Sequence, residues 1–151
     1  MGSRDDSEPA QKGIPTMATA LNPTSIAPPF GDYSHGIKCA PASCLVVTSG
    51  QLGLAPDGSC STDVRKQAEQ CFANIDAILH EAGCDRADVI RLSAFVTDRA
   101  FFPDYMAVRD EWLAGVTIRP ASTLLVVSGF TREEFKVEIE ATAIREIDLS
   151  L

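Results

Sequence analysis

The chain has 151 residues, 45% of them hydrophobic and 23% charged, with a formal net charge of −8. That is enough apolar residue for one packed core and too much for a disordered chain. The acidic balance works against nonspecific binding to nucleic acid or anionic lipid, where phosphates would meet repulsion in place of counterion release.

No apolar run approaches the ~18 residues that a membrane-spanning helix requires. The polar opening MGSRDDSEPAQKGIPTM lacks an apolar signal core. A soluble, cytoplasmic protein is the expectation. The five cysteines (Cys39, Cys44, Cys60, Cys71 and Cys84) are odd in number and contain no CxxC pair, which argues against a disulfide framework or a zinc site. His35 and His80 form no HExxH-like pair, and neither metal nor cofactor is expected.

In chain order, residues 1–20 lack periodicity and read as a flexible tail, with Met17 a candidate natural start; 21–151 read as a single domain. NPTSIAPPFGDYS is extended or turn-like because of its prolines and glycine. A short strand is expected from Tyr33 to Lys38 and a stronger one from Cys44 to Gln51, rich in β-branched residues. Asp57-Gly58 marks a turn.

The clearest helix runs from Thr62 to Ala82. Val64, Ala68, Cys71, Ile75, Ile78, Leu79 and Ala82 recur at helical spacing. Ser61 or Thr62 can cap it, Asp63 suits the dipole, and Gly83 suits the C′ position. Asp88 to Thr97 then alternates, with Ile90, Leu92, Ala94 and Val96 on one face. A second helix is expected from Arg99 to Ala114, with Phe101, Tyr105, Val108 and Trp112 on one side and Gly115 as its stop.

Ser122 to Ser128 reads as a strand that is apolar on both faces. Phe135 to Ile144 alternates, with Val137, Ile139, Ala141 and Ala143 opposite Lys136, Glu138, Glu140 and Thr142. The order implies an α+β layer with two helices on one sheet face. Two helices cover one side only, so the doubly apolar Leu124–Val127 run implies that other copies of the chain cover the second side.

Three places can carry chemistry. Glu138 and Glu140 project from one strand face ~7 Å apart, which suits acid–base work through a water and equally suits a solvated face. Tyr33, Ser34 and His35 follow a Pro/Gly loop, where a phenol can hold a small polar ligand or simply face solvent. Thr48-Ser49-Gly50-Gln51 ends a strand with hydroxyls and backbone N–H groups that can hold a carboxylate or merely turn the chain. Arg91, Arg109 and Arg119 are isolated, and no basic, aromatic-interleaved stripe appears.

Taken in order, several segments resemble the Rid (YjgF, endoribonuclease L-PSP-like) family across roughly residues 20–146. They are AlaProProPheGlyAspTyrSerHisGly at 27–36, ValThrSerGlyGln at 47–51 and Gln67, Asn74 and Ala82-Gly83 in the first helix. PheValThrAsp at 95–98, ArgProAlaSerThr at 119–123 and ValGluIleGluAla at 137–141 complete the set. The resemblance implies a chorismate-mutase-like α+β fold and a homotrimer whose sheets form a central barrel, with small-molecule pockets between subunits.

In deaminating members an arginine clamps the carboxylate of a 2-imino or enamino acid, and a glutamate positions the hydrolytic water. By the same resemblance Glu138 is the catalytic glutamate and Tyr33, Ser49, Ser122 and Met106 line the substrate site, but Ser122 stands where the arginine belongs. A serine gives one neutral hydrogen bond where a guanidinium gives a charged, bidentate grip. Met106 stands where some deaminating members carry asparagine. Arg119 is three residues from Ser122, so strand parity sends it to the opposite face.

The resulting expectation is hydrolysis of an imine, enamine or related C–N metabolite other than the standard 2-imino acids. A non-catalytic, metabolite-binding or regulatory trimer and a ribonuclease-type translation inhibitor are the alternatives. A salt-sensitive affinity for RNA would mark the latter.

Overall fold

The computed structural model describes residues 18–29, 34–39 and 43–146. Residues 1–17 of the tail expected over 1–20, and the candidate Tyr33, lie outside them. Seven strands form one mixed sheet: β1 (Ala18–Leu21), β2 (Gly36–Cys39), β3 (Ser43–Thr48), β4 (Gln51–Leu52), β5 (Val89–Val96), β6 (Ala121–Val126) and β7 (Val137–Glu146). Their order is β1-β2-β3-β7-β5-β6, and β4 also pairs with β7. Two helices, α1 (Val64–Glu81) and α2 (Phe102–Trp112), pack against each other, and the sheet's buried residues are gathered with theirs in one core. The α+β architecture with two helices on a mixed sheet is therefore present.

Helix α1 starts at Val64, two residues after the expected Thr62. Its cap is Asp63, whose side chain accepts from the N–H groups of Arg65 and Lys66, while the Ser61 hydroxyl accepts from Asp63 N–H. Gly83 ends it with φ at +74°, a left-handed conformation that a Cβ would oppose. Ala68, Cys71, Ile75, Ile78 and Leu79 are all buried against the sheet.

The expected strand at Cys44–Gln51 divides into β3 and β4, and β1 occupies the end of the stretch expected as tail. In β5 the register with β7 shifts between Val89 and Arg91. That bulge turns Val89 into the core and leaves Ile90 48% exposed, correcting the simple alternation. The expected second helix opens with a 3-10 turn at Arg99–Phe101, initiated by Asp98, before α2 begins with Pro103 in its first turn.

The parallel partner of β5 is β6, at the edge of the sheet. Register decides the faces. Ser122, Leu124 and Val126 sit opposite Leu92, Ala94 and Val96 and so look toward the helices. Thr123 and Leu125 sit opposite Ser93 and Phe95 and look away. The outward face and this edge remain open in the single chain: Leu125, Val126, Val47 and Ile144 are each more than 40% exposed.

A candidate active site in two halves

The first half grows from the meeting of β3, β4 and β7. Thr48 ends β3, and its hydroxyl accepts from Ala141 N–H at 2.9 Å, tying the strand end to β7. The chain then turns through Ser49 and Gly50 into β4, where Leu52 pairs with Glu138. A Cβ on Gly50 would stand 2.7 Å from Glu138 Cδ and closer still to Oε1. Glycine is needed here so that the carboxylate can lie on the backbone of the turn.

Glu138 faces a cleft of about 420 Å³ lined also by Leu52, Gly129, Phe130 and Thr131. Burial raises its pKa above the ordinary glutamate range, and the charge of Glu140, two residues on along the same face, adds to the rise. The cations of the neighbouring loop are engaged elsewhere: Arg132 with Glu134 and over the Phe135 ring, Lys136 with the Thr62 carbonyl. A half-buried carboxylate of this kind, beside apolar walls, is suited to hold and polarise one water.

Ser49 holds the turn together. Its hydroxyl donates to the Ser34 carbonyl at 2.5 Å, and its N–H donates to the His35 carbonyl at 2.6 Å. It straps the 34–35 segment onto the turn, with the hydroxyl's lone pairs left to accept from a ligand. His35, 7% exposed, is a structural member of the same knot. Its Nε2 meets the Ala27 carbonyl at 2.9 Å and its Nδ1 meets the Gln51 amide at 3.1 Å, contacts that together put the ring hydrogen on Nε2. Among the described residues no group of His, Cys, Asp or Glu is arranged to hold a metal ion.

The second half lies on the other side of the sheet plane, where Tyr105 of α2 meets Ser122 of β6. Ser122 and Met106 are exposed, and Tyr105, next to Met106, is fully buried beneath them. Burial pushes the Tyr105 phenol pKa up, while the charge of Arg109 and the nearby Ser122 hydroxyl pull it down. Among the described residues no hydrogen bond of normal geometry satisfies the phenol oxygen. The structure thus brings Glu138 together with Ser49 and Gly50, and Ser122 together with the Met106 turn of α2. Within one chain it does not bring the two groups together. The sequence names Gly50 only as part of the strand-end turn, and it gives no sign of Phe130, which sits in a loop with no periodic signal.

Comparison with known proteins settles the kinship. Residues 24–145 match the endoribonuclease L-PSP family. The chain belongs to this family, the Rid or YjgF family. It is 31% identical over 132 residues to the 2-iminobutanoate/2-iminopropanoate deaminase of Salmonella typhimurium, covering 86% of this chain and 97% of the relative. A RutC family protein of Aquifex aeolicus is 29% identical over 118 residues, 78% of this chain and 91% of its own. Among solved structures, the YjgF gene product of E. coli superposes with a TM-score of 0.77 at 27% identity, covering 85% of this chain and 99% of the other. E. coli TdcF with bound serine gives 0.78 at 27%, with the same coverage of both chains. The deaminase and endoribonuclease names borne by members of this family frame the function without fixing the substrate.

Proposed function

We propose that this Rid family chain is a hydrolase of small imine, enamine or related C–N metabolites other than the standard 2-imino acids, working in a cleft completed by neighbouring copies in a cytoplasmic homotrimer. The observation that carries the reading is the seating of Glu138: a carboxylate laid on Gly50, half buried, with its pKa raised, in a cleft walled by Leu52 and Phe130. Such a group takes a proton from water as the water adds to an imine carbon and returns it to the departing nitrogen. The products would be a carbonyl compound and ammonia or an amine.

Two further features support it. The two half-sites lie on opposite sides of one sheet, so a second chain is needed to bring Ser122 and Met106 against Glu138. The exposed apolar edge and face, with Leu125 at 51% and Val126 at 47%, supply a surface for that contact. Ser122 argues for a changed substrate, since a lost charged hydrogen bond costs ~1.5–3 kcal/mol, roughly tenfold to over a hundredfold in binding. Tyr33, in a stretch outside the described residues, is expected to complete the pocket wall.

The test is turnover of a panel of freshly generated imines, with the carbonyl product read by competition with semicarbazide. Glu138→Gln is expected to lower kcat by ~10²–10⁴, the usual contribution of a positioned acid–base group, with little change in KM. Saturable binding without turnover would replace the hydrolase with a metabolite-binding trimer.

A further inference from the structure

Ser122 removes a cation from β6, yet the same corner of the fold still holds one. Arg109 lies one helical turn beyond Tyr105 on α2, with its guanidinium carbon 6.0 Å from the centre of the Tyr105 ring. Its side chain is 18% exposed, so it lies along the protein surface and does not wave in solvent. The Ser122 hydroxyl approaches the phenol of that same tyrosine, so Tyr105 neighbours both groups.

The other candidates in this region are already committed. Arg119 Nη1 donates to the Leu113 carbonyl at 2.6 Å, and Arg91 looks out from the opposite sheet face toward Thr123. Among the described residues, the hydrogen-bond partner of Arg109 is its sequence neighbour alone. Its Nε and one Nη2 hydrogen go to a single oxygen of Asp110, at 3.0 and 2.8 Å, and Asp110 is 64% exposed. The remaining three of its five N–H groups have no hydrogen-bond partner among the described residues. An exposed pair between adjacent residues is weak, so a ligand carboxylate can exchange with Asp110 at small cost.

We propose that Arg109, reaching from α2 beside Tyr105 and Ser122, is the anion-binding residue of this site and grips an acidic group on the substrate. It rests on the hydrolase reading only for the reaction, and on the neighbouring-copy arrangement for bringing Arg109 near Glu138. Moving the cation from strand to helix moves the acid it reads. The substrate class that fits is an imine whose carboxylate lies several bonds from the reacting carbon, a spacing the 2-imino acids do not have. Small Ser122 leaves the room that such a chain needs.

The test uses the full chain and two probes of matched size: 4-iminobutanoate, made in situ by an amine oxidase from 4-aminobutanoate, and the neutral imine made likewise from butylamine. The acid probe is expected to be favoured in kcat/KM by tenfold or more, the scale of one charged hydrogen-bonded grip. Arg109→Gln should bring that ratio to about one and Arg109→Lys should keep part of it. Because the ratio is taken within one variant, partial loss of folded protein cancels. A natural ratio near one, or a ratio that Arg109→Gln leaves intact, overturns the proposal. If neither probe turns over, the wider imine panel decides the hydrolase reading and binding of butanoate by calorimetry decides this one. Loss of that binding in Arg109→Gln supports it, and absent or unaltered binding overturns it.

Discussion

The Glu138 half-site and the Ser122 half-site are built by opposite means. Around Glu138 the chain supplies nearly everything itself: β7 presents the carboxylate, Gly50 makes room for it, and Ser49, Gln51 and His35 lock the turn with hydrogen bonds. Around Ser122 the side chains stand on an edge strand and the exposed side of a helix, with a buried phenol that no normal hydrogen bond from the described residues satisfies. The first region is preorganised and the second is open. The lesson is that the reacting group can be held fixed while the recognition surface varies, because the latter carries little of the core.

That contrast can be broken most sharply at the assembly. Leu125→Asp puts a charge on the exposed outer face of β6 and leaves the helix-side core untouched. Gel filtration and light scattering should show monomers, and hydrolytic activity should fall by ~10²-fold or more, the kind of loss that follows when paired groups leave each other's reach. A monomer of full activity would mean that one chain holds the whole site.

Gly50→Ala tests the Glu138 half alone. Its Cβ cannot coexist with the carboxylate as it lies, so Glu138 must rotate away. We expect kcat to fall by roughly tenfold or more, since small displacements of a reacting group are costly, with the oligomer unchanged by light scattering. An unaltered kcat would show that Glu138 need not rest on that turn.

The smallest effect is on pH. Burial first, and the charge of Glu140 second, raise the Glu138 pKa in the folded protein. The folded state therefore binds this proton more tightly than the unfolded chain. The stability it contributes is fully present below the ordinary glutamate value of ~4.3 and is lost as pH rises through the folded value. Glu138→Gln should thus raise Tm at neutral pH by a small amount, on the order of 1 °C given that the group is only half buried. Calorimetric scans across pH 4–8 would read it, and a Tm that falls on substitution would assign the carboxylate a stabilising partner.

The unequal visibility of the two halves in the sequence has the same physical root. The α1 stripe and the Val137–Ala143 alternation are periodic because each buries one face; the alternation puts Glu138 and Glu140 on one strand face, and only the family motif distinguishes Glu138. The bulge that turns Ile90 outward and Val89 inward left no periodic trace, since one extra residue in a strand is invisible until its partner is known. Ala18–Leu21 carries little β-branched character and is held by pairing with β2. Ser122 and Met106 were found only through family motifs. Arg109 reads as isolated in the sequence because its setting depends on Tyr105 of α2 meeting Ser122 of β6, a proximity that spacing along the chain does not encode.

The central claim is that the hydrolytic half of the site is intact and that Ser122 has redirected its specificity. Turnover of freshly generated 2-iminobutanoate, compared between the natural protein and Ser122→Arg, tests it most directly. The account predicts a natural protein that is nearly inert on this imine and an arginine variant that gains activity by about tenfold to over a hundredfold. Efficient turnover by the natural protein, or an arginine variant that stays inert while folded and assembled, would contradict it.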